Sequence, residues 1–121
     1  MGVQFDGFDE FVAKLEKIDS SGTKLNQFVS QEAENLIGHT KDNTPVDTGQ
    51  LRNGWKRTQA AKGRVTVYNN TEYAAHVEYG HRTRSGKGFV KGSKMLHRGM
   101  LQTGKHFQED AAEIMKGLID E

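Results

Sequence analysis

The sequence predicts an α+β fold, in which a small antiparallel sheet is flanked by two N-terminal amphipathic helices and a C-terminal helix, with a long basic, glycine-rich loop. Apolar residues recur at helical spacing in the first 42 residues and again near the C-terminus. Between these segments, a short run alternates valine with polar residues, as strands do. We expect the 121 residues, 34% of them hydrophobic, to form a single domain over 1–121 around one modest core.

Both N-terminal helices are predicted from an apolar stripe at helical spacing. The first is expected over about 7–19 and the second over about 22–42, with a polar break between them. We expect the two helices to pack on each other or on the sheet. The stripe residues are Phe8, Phe11, Val12, Leu15 and Ile18 in the first helix, and Leu25, Phe28, Val29, Ala33, Leu36 and Ile37 in the second.

A junction follows the second helix and contains the only proline and the only tryptophan of the chain. Pro45 fixes its own φ angle and restricts the residue before it, so the helix is expected to stop there. Asp47 or Thr48 is predicted to cap a short helix that bears Leu51, whose side chain packs beside Trp55. We expect an architectural role for this structural junction, which comprises Pro45, Asp47, Thr48, Gly49, Leu51 and Trp55.

The middle of the chain is predicted to form strands. Strands at about 55–60 and 64–69 are expected to pair as an antiparallel hairpin, because Lys62-Gly63 is a turn signal between them. The segment 73–79 fits either a strand or a helix, since its apolar residues match both periods.

A basic, glycine-rich loop over 80–93 is predicted to precede the C-terminal helix. The chain has no acidic residue between Glu78 and Glu109, and both like charges and glycines disfavour order, so we expect this loop to be mobile. The C-terminal helix is expected to begin at about 94 or 104 and to end at about 119. The candidate contact residues of this interval are Arg82, Arg84, Lys87, Phe89, Lys91, Lys94 and Arg98.

Three roles for the basic interval stay open on the residues alone. Its cations are suited to phosphates, with Tyr79 and Phe89 available for stacking on bases. A solvated loop that carries charge for solubility has the same composition. The third role is contact with an acidic surface of a partner subunit, where arginine and aromatic residues are favoured.

The sequence predicts no cofactor, no metal site and no enzymatic activity. The chain has no cysteine, which excludes disulfides and thiolate chemistry, and His76 and His81 do not have the spacing of a helical metal-ligand pair. No nucleophile motif is present. No stretch has the roughly 20 apolar residues of a membrane span. The net charge of +1 argues against a dedicated nucleic-acid binder.

Three motifs in order resemble a family of small tailed-bacteriophage structural proteins. These are described as gene-product-ten-like minor tail components, or as neck, head–tail joining and tail-completion proteins. The resemblance covers about 8–119, nearly the whole chain. The motifs are Thr44-Pro45-Val46-Asp47-Thr48-Gly49-x-Leu51-Arg52-x-x-Trp55, Tyr73-Ala74-x-x-Val77-Glu78-Tyr79-Gly80 and Gly88-Phe89-Val90-x-Gly92-x-x-Met95-Leu96.

The resemblance implies a non-enzymatic virion subunit with no catalytic residues to carry over. Its expected partners are copies of itself in a ring of about six by analogy, the neighbouring connector and tail-tube proteins, and DNA passing through the ring. It implies assembly in the host cytoplasm and a final place in the neck or tail of the virion. Terminator, stopper and completion roles stay open. The rival reading is a small nucleic-acid-binding module that uses the basic interval 80–98.

One departure from the family pattern concerns the basic interval. Many members follow the Glu-Tyr/Phe-Gly motif with threonine and a shorter route to a Pro-Phe pair. Here the run 81–84 opens a longer basic loop without proline. The role of this loop therefore stays open.

Overall fold

The computed structural model describes residues 2–6, 13–14, 17, 22–46 and 49–119. Within these residues the protein has an α+β fold with small antiparallel sheets, as predicted. The helices are α1 (Thr23–Asp42), α2 (Gln50–Asn53), α3 (Ala74–Tyr79) and α4 (Met95–Ile119). The strands are β1 (Gly2–Asp6), β2 (Lys56–Arg57), β3 (Arg64–Tyr68), β4 (Gly80–Arg82) and β5 (Phe89–Lys91).

The larger sheet has the strand order β1-β3-β2, with both neighbours antiparallel to the central strand β3. Val65 and Val67 of β3 face the core and are 1% and 0% exposed, as their alternation predicts. Lys62 and Gly63 both have positive φ, 54° and 73°, in the turn that precedes β3. Such angles at both central residues are typical of a tight hairpin turn, so the predicted turn is present.

The strand β2 is shorter than the predicted 55–60. The N–H of Thr58 donates to the carbonyl O of Thr66 over 2.9 Å, but the N–H of Thr66 donates to the side-chain Oγ1 of Thr58 over 3.0 Å. Because a hydroxyl takes the place of the backbone carbonyl, the regular ladder stops there. An isolated bridge between Ala61 and Arg64 closes the hairpin.

The strand β1 is not among the predicted elements. It pairs along its length with β3, with Val3 opposite Val67 and Phe5 opposite Val65. Its two apolar residues do alternate, but five residues that include a glycine give too short a pattern to identify a strand. The predicted helix 7–19 falls outside the described residues, except for Ala13, Lys14 and Lys17, which are helical.

The helices α1 and α4 pack antiparallel and form most of the core. The rings of Phe28 and Phe107 meet edge-to-face with centroids 5.3 Å apart. Near the other end of α1, Gly99 of α4 lies so close to Thr40 that a Cβ at this position would overlap the threonine side chain. The helix α4 begins at Met95, so the earlier of the two predicted starts agrees with the structure.

The segments 73–79 and 80–93 also take definite forms. The first is the helix α3, which buries Ala74 and Glu78 one turn apart. The sequence predicts a long, mobile loop for the second, but this segment contains the antiparallel pair β4 and β5. Backbone pairing between these strands supplies the order that the sequence composition disfavours.

Candidate partner-binding arm and its anchor

The predicted junction folds as a short helix followed by a buried tryptophan. The helix α2 carries Leu51, 4% exposed, and Trp55, 3% exposed, follows it in the same core cluster. Gly49 occupies the N-cap position of α2 with φ 76°, a conformation that glycine adopts without steric cost. The predicted capping residues Asp47 and Thr48 lie outside the described residues, so their role stays a prediction.

Trp55 is held by a chain of buried hydrogen bonds. Its Nε1–H donates to Oγ1 of Thr44 over 3.1 Å, and the hydroxyl of Thr44 donates to the carbonyl O of Thr40 over 2.6 Å. These bonds join the end of α1 to the residue that leads into β2. Pro45 is exposed directly after Thr44, and α1 already ends at Asp42, as expected for a helix before a proline.

A second brace reaches the junction from the end of β3. Asn69 is 1% exposed; its Nδ2 donates to the carbonyl O of Leu51 over 2.8 Å, and its Oδ1 accepts the N–H of Thr71 over 2.9 Å. A Cβ on Gly54 would lie 2.9 Å from Oδ1 of Asn69, so a larger residue would disturb this contact. Leu51 and Trp55 therefore act in packing and hydrogen bonding, and the architectural role of the whole junction stays a prediction.

Glu78 anchors the start of α4 from the preceding helix. Its side chain is buried at 3% exposure, and its two carboxylate oxygens accept backbone N–H groups of Leu96 at 2.8 Å and His97 at 3.1 Å. The first N–H groups of a helix lack partners within the helix, and the helix dipole favours a negative charge there. Glu78 therefore caps α4.

Two glycines bring the chain segments together beside this anchor. Gly80 has φ 86°, and a Cβ there would overlap the carbonyl O of Val90. A Cβ on Gly92 would overlap the carbonyl O of Glu78. Glycine is required at both positions because backbone lies where a side chain would begin. The two ends of the β4–β5 hairpin are thus clamped at one point.

We call the hairpin formed by β4, β5 and the turn between them, residues 80–91, the arm. The turn is closed by backbone hydrogen bonding, in which the N–H of Thr83 donates to the carbonyl O of Gly88 over 2.9 Å. The N–H of Gly88 also donates to Oγ1 of Thr83 over 3.1 Å. The arm is therefore a defined element.

One face of the arm combines cations with an aromatic ring. The register places Arg82 opposite Phe89 and Gly80 opposite Lys91. Because residues opposite each other, and residues two apart, share a face, the side chains of Arg82, Phe89 and Lys91 lie on the same side. Phe89 is 64% exposed, a high value for a large apolar side chain. This face has the composition of a contact surface.

The structure gathers most of the predicted contact residues on the arm. Arg84 and Lys87 lie in its turn, next to the cationic face, and both are exposed. Lys94 and Arg98 lie at the base of the arm, just before α4 and in its first turn, and are also exposed. Within the described residues, the arm cations form no ion pair with a carboxylate. The arm therefore presents unneutralised positive charge to solvent.

A carboxyl pair between α1 and α4 was not predicted. Glu32 is 1% exposed, and burial, then a hydrogen bond and the charge of Asp110, raise its pKa to about 8. The sequence carries one sign of this: Glu32 interrupts the apolar stripe between Phe28 and Leu36, where a helix turns its face to the core. A charged residue in such a stripe indicates an unusual environment.

Within the described ranges, no group of three or more histidine and acidic side chains is placed to hold a metal ion. In the same part of the chain, no helix is both long and apolar enough to cross a membrane.

A family model places these features in a known group. The family described as "Bacteriophage HK97-gp10, putative tail-component" matches residues 6–80. The chain belongs to this bacteriophage HK97-gp10-like family. No curated protein and no solved structure matches the chain.

The part matched to the HK97-gp10-like family contains the junction, the sheet strands β2 and β3, and the helix α3 with its anchor Glu78. The match ends at Gly80, where the arm begins. The arm and α4 therefore lie beyond the matched residues.

Proposed function

We propose that this member of the HK97-gp10-like family is a non-enzymatic structural protein of the phage head–tail junction. It assembles into a ring that joins the tail to the capsid connector. Family membership supports a role as a phage tail component. The observation that carries the assembly role is the arm, which presents exposed cations and Phe89 to solvent. A partner that buries the ring of Phe89 and pairs the cations with acceptors would stabilise the assembly.

The contacts of the motif residues support a role without chemistry. Two motif residues, Trp55 and Glu78, and Asn69 between the motifs use their polar atoms in buried hydrogen bonds that hold the fold together. A catalytic acid or base has to reach a substrate proton directly or through water. Glu78 is enclosed and points at the backbone of α4.

The partners of this proposal are copies of the same chain, the neighbouring connector and tail-tube proteins, and DNA that passes through the ring. A closed ring uses head-to-tail contacts, in which each subunit presents two different patches, and about six copies is the expectation by analogy. The protein assembles in the host cytoplasm and ends in the neck or tail of the virion. Terminator, stopper and completion roles all fit this description.

A phage that lacks this gene tests the proposal. We expect filled heads and tails to accumulate unjoined, and wild-type protein supplied in trans to restore joined particles. Protein with Arg82, Arg84, Lys87 and Lys91 changed to alanine is expected not to restore them. A control with the exposed Lys56, Lys62 and Lys105 changed to alanine should restore them. Normal joined particles without the protein would contradict the proposal.

The charge of the arm also favours a second candidate, a nucleic-acid-binding module that uses residues 80–98. Lysine and arginine contacts to phosphates release counterions, so such binding weakens steeply with salt. A salt-sensitive affinity of the isolated subunit for DNA, lost in the arm alanine variant, would favour this candidate. Absence of binding at low salt would remove it.

A further inference from the structure

A groove of about 580 Å³ lies between the N-terminal half of α1 and the C-terminal third of α4. Ile114 supplies an accessible apolar side chain, whereas Phe28 forms the floor and is only 2% exposed. Asp110 and Glu113 contribute carboxylates to the lining, and Lys24 contributes a cation. Its volume falls in the range of sites that enclose a ligand or a few side chains. The groove thus suits a ligand that is both apolar and cationic.

The groove also holds a buried carboxyl group. Glu32 lines it at 1% exposure, and no N–H or hydroxyl donor of the described residues reaches its Oε2. The hydrogen bond that Glu32 shares with Asp110 joins two carboxyl groups. A buried carboxyl oxygen without a donor lowers stability, and a cationic donor that enters the groove would remove this cost. Asp110 and Glu113 would attract such a donor from the rim.

The arm offers the complementary face. Arg82 and Lys91 flank the exposed ring of Phe89 on one side of the hairpin. An aromatic side chain supplies apolar area for the wall of the groove, and the two cations are placed to meet carboxylates on either side of it. The arm and the groove match in charge and in polarity.

The arm and the groove of one subunit lie at opposite parts of α4. The arm is clamped to the start of this helix by Glu78, whereas Asp110 lies 15 residues after Met95, about 22 Å along the axis at ~1.5 Å per residue. The exposed state of Phe89 and the unpaired arm cations show that the arm contacts no groove in its own subunit. The groove it can fill belongs to another copy.

We propose that the arm of each subunit docks into the α1–α4 groove of the next, with Phe89 against Ile114, and Arg82 and Lys91 on Asp110 and Glu113. This inference rests on the ring proposed above and assigns its lateral contact. The contact is head-to-tail, because arm and groove are different patches, and such contacts close into a ring when the rotation permits.

The same features favour a protein groove over DNA as the site of the arm. In duplex DNA the bases stack on each other, so the duplex offers phosphates to the cations but no free base face to the ring of Phe89, which is 64% exposed. The groove offers carboxylates and apolar side chains together. The whole chain has a net charge of only +1, and the interval between Glu78 and Glu109 holds no acidic residue, so acidic residues elsewhere in the chain balance the cations of the arm.

Charge reversal on the full-length protein tests the pairing. We expect R82E/K91E and D110K/E113K each to weaken self-association at least about tenfold, measured by sedimentation velocity, since each puts like charges together. The four substitutions combined on one chain should restore association. K56E/K105E and D42K/E72K make the same charge changes at exposed sites elsewhere and should leave association unchanged. Circular dichroism checks that every variant keeps its helices.

Cross-linking tests the contact directly, because the wild-type chain has no cysteine. The variant F89C/I114C treated with a short bis-maleimide is expected to give a ladder of covalent oligomers. A mixture of F89C and I114C single variants should stop at dimers. The control F89C/V46C, with its second thiol at an exposed site away from the groove, should give no ladder.

The outcomes separate this inference from the ring itself. The wild-type protein could form oligomers while F89C/I114C gives no ladder and the four charge reversals on one chain do not restore association. This result would overturn the arm–groove contact and leave the ring proposal standing. Arm reversal that abolishes only DNA binding would also overturn it and assign the arm to nucleic acid. Normal head–tail joining in phage that lack the protein would overturn the proposed function. A ladder with F89C/I114C, together with rescue by the fourfold reversal, supports the arm–groove contact.

Discussion

The carboxylate of Glu78 accepts the backbone N–H of Leu96 at 2.8 Å, between residues 18 positions apart in the chain. The whole arm lies between these two residues, so its two ends are joined at this bond. The same carboxylate also accepts the N–H of His97, which makes it the cap of α4. One side chain therefore caps α4 and ties together the two chain segments that flank the arm.

Replacement of Glu78 by alanine is expected to lower the free energy of unfolding by about 1–3 kcal/mol, since the buried N–H of Leu96 and the partly buried N–H of His97 lose their acceptor. Glutamine retains one acceptor oxygen, so E78Q should lose less. Urea unfolding followed by circular dichroism measures both. E72A removes an exposed carboxylate just before α3 and should change stability by no more than about 0.5 kcal/mol. Equal effects of E78A and E72A would contradict the capping role.

The hydrogen bond between Trp55 and Thr44 provides a second prediction. T44V leaves the indole N–H without an acceptor and should cost about 1–3 kcal/mol. W55F keeps most of the ring and removes the donor. The double variant should be more stable than the sum of the single effects implies, by about 1 kcal/mol, because both partners are then absent. Additive effects in urea unfolding would show that the bond contributes nothing.

The sequence predicts the burial of large apolar residues better than the use of polar ones. Leu51 and Trp55 were expected in the core because their size and apolar surface leave few alternatives. The cap formed by Glu78 was not expected, since a capping acid is normally sought within the first turn of its own helix, and Glu78 comes from a different helix.

The arm was missed for a related reason. A strand is recognised when one face is apolar and the other polar. Both faces of the two-stranded arm are exposed, so Arg82, Phe89 and Lys91 share a face without an apolar alternation to mark it. Only the pairing of β4 with β5 distinguishes the arm from a solvated loop.

The raised pKa of Glu32 predicts a pH-dependent stability. Burial comes first, followed by the hydrogen bond and charge of Asp110, and together they raise the pKa from 4.5 to about 8. Between these values the folded state holds a proton that the unfolded chain has released. The stabilisation by this proton is complete below pH 4.5 and is lost as the pH rises through about 8. The free energy of unfolding should fall over this window, by at most about 1.4 kcal/mol per pH unit.

The variant E32Q isolates this effect. Glutamine is neutral at every pH, so the contribution of this site to the slope should vanish, and E32Q should exceed the wild type in stability above pH 8. D110N removes the neighbouring charge and should move the midpoint below 8. Glu113 lines the same groove, so E113Q serves as the control. It should keep most of the wild-type dependence of the free energy of unfolding on pH. A wild-type profile that E32Q leaves unchanged would contradict the assignment.

Two glycines of α4 are expected to respond in opposite directions to the same substitution. A Cβ on Gly99 would overlap Oγ1 of Thr40 and lie 3.0 Å from its backbone N, so G99A should push the helices apart and cost about 1–3 kcal/mol. Nothing lies within 4 Å of a Cβ on Gly104, so G104A should stabilise the helix by about 1 kcal/mol.

Removal of the threonine hydroxyl separates close packing from helix propensity. T40A/G99A leaves only the backbone of residue 40 near the new methyl group, so part of the loss caused by G99A should be recovered. T40A/G104A should show independent effects, because Gly104 does not touch residue 40. Thermal unfolding of the four variants and the wild type measures the set. If G99A raised the melting temperature as G104A does, the close contact between α1 and α4 at this point would be wrong.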